Sequence, residues 1–409
     1  MTAPTTGARL VAHTVWVDDA PDLVSFAGDG GLLFSHGGET GLATRGVTLR
    51  VPAGGATKAL AAIEVDDAVG LPGCGPVAVG ALPFTETALG ELVIPRSVLG
   101  RAPDGSTWKT TIGASRGDRD GEPGAMTPGA PPAAAPDQFG LRPFPSHEKW
   151  CEAVALAVAA IESNQTLEKV VLARQVVVEA NRPIPAPEVA ARLQSLYPSC
   201  IVFSIDGFVG ASPELLVSRR GHTVWSQPLA GTIPRSGDPE ADRRLAADLL
   251  SSPKERHEHA LVVDEVADRL RPHCESLSVP PEPDIVPLRN VSHLGTRISG
   301  RLRPPAPSAL ELALLLHPTP AVAGTPTTEA LAFLARVEAG ARGRYTGPVG
   351  WVDAGGDGDW AVAIRCAELD GHRARLYAGA GIVADSIPEA ELAETQLKLQ
   401  ALLAAVVRP

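Results

Sequence analysis

The order of strand-forming and helix-forming segments limits the folds open to this chain of 409 residues. Residues 1–100 alternate short apolar runs with glycine-rich turns, a pattern typical of strands about 5–6 residues long. Later in the chain, blocks of strands and helices are mixed without the strict alternation that a doubly wound parallel sheet needs. The sequence therefore predicts an α+β fold.

Hydrophobic periodicity predicts the later elements. A helix is expected to begin after Ser146, because Trp150, Val154, Val158 and Ile161 recur at helical spacing. Further helices are predicted at 241–250, 254–270, 308–316, 327–339 and 389–407. Strands are predicted at 169–178, 201–210, 214–219, 222–226, 347–353, 359–369 and 373–383.

Composition divides the chain and excludes several classes of protein. Residues 102–140 are rich in glycine, proline and alanine, so a loop is predicted there between a β-rich part, 1–101, and the rest. The net charge is −11 without a basic block, which argues against nucleic-acid binding. No apolar run reaches the roughly 18 residues of a membrane span. The 5 cysteines show no CxxC spacing, so we expect a reduced, cytoplasmic setting without zinc or disulfides.

A short C-terminal stretch combines groups that suit a small polycarboxylate and a divalent metal ion. Arg365 is predicted on a strand, Ala378–Gly381 as a glycine-rich turn, and Glu391, Glu394 and Lys398 on one helix face. That spacing is equally compatible with a solvated face carrying a weak ion pair. The glycines favour a ligand site, because missing side chains allow close backbone approach.

The last three predicted strands are expected to form a meander. A turn near Asp370–Gly371 would pair position 365 with position 376. That register would bring Arg365 close to the turn containing Gly379 and Gly381.

Other charged residues have two open interpretations each. On the helix at 254–270, Glu255 falls within the apolar arc and Glu258 at its edge, where a carboxylate needs a partner or a metal. Glu255 also suits the acidic first turn of a helix. Glu214 is either a turn residue or an acid–base group. Lys169 is either a strand-end residue that reaches solvent or, if enclosed, a base.

Several strings occur together in an order that resembles the chorismate-utilising enzymes of the menaquinone–siderophore–tryptophan family, with isochorismate synthase the nearest subfamily. They are Lys169–Arg174, Gly210–Leu216, Pro228–Thr232, Lys254–His259, Leu316–Val322, Tyr345–Trp351 and the C-terminal set described above. Each string alone is weak, but as a group they are specific. They span about residues 145–405, whereas the preceding part offers little beyond its β-rich character.

The resemblance implies the fold of anthranilate synthase component I, a β-sandwich-like sheet core flanked by helices. It implies one domain over residues 1–409, with the catalytic part over 145–405 and the active site in a deep cleft. It also implies chorismate as the substrate, Mg²⁺ as the cofactor, and a monomer without a glutaminase partner.

The resemblance assigns roles to individual residues. Glu258 and Glu394 would hold the metal, with Glu391 close by. The groups that would contact chorismate are Gly231, Thr232, His293, Ala321, Tyr345, Arg365, Gly379, Gly381 and Lys398.

The implied reaction adds water at C2 of chorismate while the C4 hydroxyl leaves. Lys169 would be the general base that activates water, and Glu214 the general acid that protonates the departing hydroxyl. Relatives that add ammonia carry a different residue at the lysine position, so Lys169 favours water as the nucleophile. Two alternatives stay open: a salicylate synthase, which further eliminates pyruvate, and a non-catalytic anion-binding relative. The Leu316–Pro320 loop favours isochorismate synthase over the former, and the filled catalytic positions argue against the latter.

Overall fold

The computed structural model describes residues 9–37, 40–86, 89–114, 135–163 and 166–407. The strands are β1 Val11–Trp16, β2 Leu32–His36, β3 Thr40–Pro52, β4 Glu64–Asp67, β5 Val77–Ala81, β6 Glu91–Arg101, β7 Thr107–Gly113, β8 Phe139–Phe144, β9 Lys169–Ala180, β10 Ile201–Ile205, β11 Phe208–Ser212, β12 Leu215–Arg220, β13 Thr223–Gln227, β14 Leu229–Pro234, β15 Cys274–Ser278, β16 Asp284–Pro287, β17 Val291–Gly295, β18 Ile298–Leu302, β19 Gly324–Thr325, β20 Pro348–Asp353, β21 Gly358–Val362, β22 Cys366–Asp370 and β23 Arg373–Ile382. The helices are α1 Leu23–Ala27, α2 Ala56–Ala61, α3 His147–Ser163, α4 Ala186–Leu196, α5 Pro239–Ser251, α6 Pro253–Leu270, α7 Ala309–Leu316, α8 Thr327–Val337 and α9 Pro388–Val407.

A large, mainly antiparallel sheet branches at β6. On one side of β6, pairing runs through β3, β2, β10, β11, β22, β23 and β9 to β8, which we call the first arm. Through β5, pairing runs along β20, β21, β12, β13 and β18 to β15, the second arm. Strands β14, β17 and β16 form a separate small sheet. Both arms thus combine strands from the first hundred residues with strands from the rest of the chain.

The two arms share one apolar cluster and are covered by helices. Phe34 and Phe203 of the first arm pack in the same buried cluster as Val79 and Trp351 of the second. Helices α4 and α9 contribute to a cluster against the first arm, and α3, α6, α7 and α8 to another. This arrangement gives the expected β-sandwich-like core flanked by helices. Among the described residues, no helix combines the length and apolarity needed to cross a membrane.

The chain passes between the arms at two places that lie side by side. From β11 to β12 it crosses through Pro213 and Glu214, and from β21 to β22 through the residues up to Arg365. Val362 N donates to Glu214 O at 3.1 Å, and Ala211 N donates to Arg365 O at 3.1 Å. The arms therefore diverge where these two charged side chains are placed.

The predicted helices are confirmed at all six positions, with ends shifted by a few residues. Two predicted strands are each two strands. The segment 201–210 is a hairpin of β10 and β11, turning at Asp206 and Gly207, both at positive φ. An Asp-Gly pair suits such a tight turn. The segment 359–369 is divided between β21 and β22, which belong to different arms, so the last three predicted strands do not form one meander. The turn expected near Asp370–Gly371 is confirmed, because it joins β22 to β23.

Four further expectations are corrected by the backbone. The predicted 102–140 loop contains strand β7, and its residues 115–134 lie outside the described part of the chain. Gly379 and Gly381 lie within β23, paired to β9, and do not form a turn. Arg365 is not on a strand but at φ 52° between β21 and β22. Leu376 pairs with Ala367, two positions from the expected register.

Candidate active site

A cleft opens where the two arms diverge, and helices α6 and α9 form its other side. All fourteen site residues expected from the sequence line it: Lys169, Glu214, Gly231, Thr232, Glu258, His293, Ala321, Tyr345, Arg365, Gly379, Gly381, Glu391, Glu394 and Lys398. They come from β9, β14, β17, β23, α6, α9, the two crossovers and two loops. Residues more than 200 positions apart in sequence thus share one space.

Lys169 begins β9 and is 2 % exposed, so it is enclosed rather than a solvated strand end. Its Nζ donates to Glu258 Oε1 at 2.6 Å. Burial alone would raise the pKa of Glu258, but the neighbouring Lys169 outweighs this and holds the pKa below its usual value. A β-carbon added at Gly381 would lie 2.8 Å from Lys169 Cε, so glycine there leaves room for this pair.

Glu214 is a carboxyl group of the cleft whose pKa burial shifts strongly. It lies buried at the crossover from β11 to β12, where its backbone N–H donates to Ser212 Oγ at 3.2 Å. Burial raises the pKa of its side chain to about 8, although the Leu229 N–H and the positive charges of Lys169 and Arg365 act in the opposite direction. At neutral pH, Glu214 is therefore mainly a neutral acid with a proton to donate.

The helix α9 presents two carboxylates and a lysine to the cleft, as its sequence spacing predicts. Lys398 Nζ pairs with Glu394 Oε1 at 2.5 Å and donates to Gly379 O at 3.0 Å. Ser386 Oγ donates to Glu391 Oε1 at 2.8 Å. Burial, and then the charge of Glu394, raise the pKa of Glu391 to about 7. The face is thus part of the cleft wall and not a solvated surface.

His293 lines another wall of the cleft, and its side chain is neutral. Gly231 O lies 3.1 Å from His293 Nδ1, and Thr232 Oγ1 lies at the same distance. Burial, with the charges of Arg365 and Lys398, lowers the pKa of His293 to about 3. Since a carbonyl only accepts, Nδ1 carries the proton, and Nε2 accepts from Arg365 Nη2 at 3.4 Å. His293 therefore orients the arginine.

Aromatic and glycine residues shape the wall formed by the first arm. Tyr345 stacks on Tyr377, with ring centroids 5.0 Å apart and planes 11° apart. A β-carbon at Gly379 would lie 3.0 Å from Tyr345 Oη. Gly379 is therefore required for close packing, although it lies on a strand and not in the turn expected from the sequence.

The carboxylates of the cleft suit a divalent cation by their chemistry. The pKa of Glu255 is raised by burial and by Glu258, and that of Glu391 by burial and by Glu394, so these groups repel one another. Within the described ranges, no three acidic, histidine or cysteine side chains already converge as a metal cage. Magnesium does not demand one, because it keeps several waters and accepts few protein carboxylates. The oxygen donors present fit this ion.

Sequence reasoning missed Lys254 and Thr346 in the cleft and left the role of Glu255 open. Lys254 and Glu255 line it beside Glu258. Lys254 pairs with Asp385 at 3.3 Å, and Glu255 accepts the Thr232 N–H at 3.2 Å. Both belong to the Lys254–His259 string, and its clustered charged residues are the sequence feature that could have identified them as cleft residues. Thr346, at φ 63°, had no signal, because β-branched residues rarely adopt positive φ.

The arrangement joins an acid, an amine and an anion cradle in one enclosed space. Glu214 has a proton to give, and the amino group of Lys169 lies in the same space beside Glu258. Arg365 and Lys398 supply positive charge, while Gly379 and Gly381 leave room for a ligand. Such a cleft suits proton transfers on a small carboxylate held by a cation.

Comparison with known proteins agrees with this geometry. A family model described as chorismate binding enzyme matches residues 130–407. Isochorismate synthase DhbC of Bacillus subtilis is 40% identical over 342 residues, 81% of this chain and 81% of that protein. A putative isochorismate synthase MenF of Mycobacterium tuberculosis is 40% identical over 350 residues, 82% and 87% of the two chains.

Solved structures share the fold. The menaquinone-specific isochorismate synthase MenF of Escherichia coli has a TM-score of 0.84 at 26% identity, covering 98% of this chain and 95% of that one. Anthranilate synthase component I of Streptococcus pneumoniae has a TM-score of 0.68 at 23% identity, covering 98% and 94%, which confirms the expected fold class. The chain therefore belongs to the chorismate-binding enzyme family, within the fold that anthranilate synthase component I shares.

Proposed function

We propose that this chain is a magnesium-dependent isochorismate synthase, which converts chorismate into isochorismate. The observation that carries the proposal is that the buried side chains of Lys169 and Glu214 line the same cleft, where burial raises the pKa of Glu214 to about 8. The relatives that share about 40% of the sequence and are named isochorismate synthases support it.

Glu214 is proposed as the general acid. The C4 hydroxyl of chorismate is a poor leaving group, and it departs as water when it receives a proton. Because the pKa of Glu214 is raised to about 8 by burial, this carboxyl group holds its proton at neutral pH and donates it as the C–O bond breaks.

Lys169 is proposed as the general base. It removes a proton from the water that attacks C2, so one water is taken up, one is released, and the product has the composition of the substrate. Lys169 acts here in its uncharged form, which still leaves N–H groups on Nζ to donate to Glu258. The enclosed position of Lys169 limits competition from bulk water.

Charge balance in the cleft supports a divalent cation. Its ionisable carboxylates other than Glu214 are Glu255, Glu258, Glu391 and Glu394, and its cations are Lys169, Lys254, Arg365 and Lys398. Chorismate brings two further carboxylates into this space, and a divalent cation such as Mg²⁺ would offset their two negative charges.

Glu258 and Glu394 are the proposed metal ligands, with Glu391 nearby. When bound, the metal would supply a charged anchor for the ring carboxylate of the substrate. Arg365 and Lys398 provide positive charge for the remaining anionic groups. His293 keeps Arg365 oriented through its unprotonated Nε2.

The test is to incubate the purified protein with chorismate and Mg²⁺ and to separate the products by chromatography. Isochorismate in equilibrium with chorismate is the expected result, and chelation of the metal should stop its formation. Salicylate with pyruvate would show instead a salicylate synthase. Absence of turnover, with chorismate bound, would show a non-catalytic relative.

A further inference from the structure

Arg342, which has no role in the chemistry proposed above, lies buried behind the cleft. Its side chain is 3 % exposed, and it carries five N–H groups that need acceptors. Nε donates to Glu338 Oε2 at 2.8 Å, and Nη2 to Glu338 Oε1 at 2.9 Å. The guanidinium also lies 4.3 Å from the centre of the Phe84 ring. This charge is thus fully compensated within the protein.

The other contacts of Arg342 reach three separate segments that line the cleft. Nη2 donates to Val171 O on β9 at 2.6 Å, and Nη1 donates to Val322 O at 2.7 Å. Nη1 also lies 3.3 Å from Thr346 Oγ1. Val171, Val322 and Thr346 all line the cleft. One side chain therefore joins a strand, the loop after α7 and the turn that carries Tyr345.

Glu338 extends the same connection. Its Oε1 accepts the backbone N–H of Ala173 on β9 at 2.7 Å, two residues beyond the carbonyl that Arg342 contacts. The Glu338–Arg342 pair therefore fixes β9 through both a donor and an acceptor. Lys169 is the first residue of β9, so the pair also fixes the strand from which the Lys169 side chain projects into the cleft.

The turn held by Arg342 has a backbone conformation that needs support. Thr346 is at φ 63°, which is costly for a β-branched residue. Its Oγ1 donates to Tyr345 O at 2.6 Å and accepts from Arg342, and its N–H donates to Ala363 O at 2.8 Å. These contacts hold Tyr345 against Tyr377 and towards Gly379.

We propose that Arg342, together with Glu338, is a positioning residue that holds the substrate-facing wall of the cleft in place before chorismate binds. The inference rests on the proposed function for its kinetic readout. The pair contacts no carboxylate proposed to hold the metal, so its effect falls on the ring-binding wall and not on the metal side.

The test compares two arginines of one turn. Arg342→Lys keeps the charge but loses the planar fork that reaches Glu338, Val171 and Val322 together. Arg344→Lys is the matched control, because Arg344 contacts Ile205 O at 2.9 Å and Glu368 at 3.4 Å, away from the cleft. We expect Arg342→Lys to raise the KM for chorismate by about tenfold or more, since charged hydrogen bonds contribute that much. The Mg²⁺ concentration for half-maximal rate should stay unchanged.

A second readout does not depend on catalysis. Backbone amide hydrogen exchange should become faster over residues 171–173 and 345–347 in Arg342→Lys, and stay as in the wild type in Arg344→Lys. If Arg342→Lys fails to fold, Glu338→Gln takes its place. That variant retains Arg342 but removes the carboxylate, and it should show the same pattern to a smaller extent.

The outcomes separate the inference from the proposed function. A KM change no larger in Arg342→Lys than in Arg344→Lys, or equal exchange in both, would overturn the positioning role. If the wild type forms no isochorismate, the proposed function fails, and the exchange comparison still decides whether Arg342 holds the wall.

Discussion

The two sides of the cleft differ in how completely their charges are satisfied. On the sheet side, Arg342 has acceptors for its guanidinium, and Tyr345 is stacked and held from behind. On the helix side, the pKa values of Glu255 and Glu391 are raised by burial and by neighbouring carboxylates. The sheet side is therefore preorganised by the protein alone, whereas the helix side carries carboxylates that repel one another, which a cation would relieve under the proposed function.

This difference divides the expected effects of substitutions into two kinds. Changes on the sheet side should alter chemistry or chorismate binding. Changes on the helix side should alter the metal requirement.

The largest expected effect is on the sheet side, at the proposed base. Lys169→Ala should lower kcat by about 10²–10⁴-fold, the usual contribution of a general base. Magnesium-dependent binding of chorismate, measured by calorimetry, should remain. A variant with wild-type kcat would show that another group activates water.

A smaller effect is expected from the helix side. Glu258→Gln and Glu394→Gln should each raise the Mg²⁺ concentration for half-maximal rate by about tenfold or more, because an amide is a weaker ligand than a carboxylate. Glu255→Gln is the matched control, since its amide oxygen can still accept the Thr232 N–H. Titrating the rate with Mg²⁺ at saturating chorismate measures all three. Equal shifts in the three variants would contradict the assignment of ligands.

The site residues that the sequence predicted are those that lie within a short, recognisable motif. Lys169, Glu258 and Glu394 each lie within a short motif, and the structure brings them to one cleft. The six helices were predicted because a 3.6-residue apolar period is read within a single segment.

What the sequence could not predict depends on partners far along the chain. The crossover that carries Arg365 exists because β21 pairs in the second arm and β22 in the first, and periodicity contains no information about pairing partners. For the same reason Gly379 was assigned to a turn, although β9 holds it in a strand. Arg342 was missed because its acceptors Val171 and Val322 are 171 and 20 residues away.

The smallest expected effect is a pH dependence that originates from Glu214. Burial raises the pKa of this carboxyl group to about 8, so the free enzyme loses its proposed acid as the pH rises through that value. The rate constant kcat/KM should fall to about half near pH 8 and about tenfold by pH 9.

The free energy of unfolding should also decrease as the pH rises, because of the same carboxyl group. The folded protein keeps a proton that the unfolded chain releases above the ordinary pKa of 4.5, so stability from this group declines between about pH 4.5 and 8 and is level above.

Glu214→Gln separates this effect from those of other groups. An amide has no proton to donate, so kcat should fall at every pH by about the factor expected for Lys169→Ala, and the smaller pH effect is then measured in the wild type. The amide also has no proton to lose, so the decline in stability assigned to this group should disappear when urea unfolding is measured between pH 5 and 8. Glu188→Gln on the surface of α4 is a control that should leave both profiles in place. Suppose that kcat/KM of the wild type falls near pH 8 as expected, but that the stability of Glu214→Gln depends on pH in the same way as that of the wild type. The fall in kcat/KM then originates from the titration of another group. Glu214 would then be ionised in the free enzyme, and the acid would have to be sought elsewhere in the cleft.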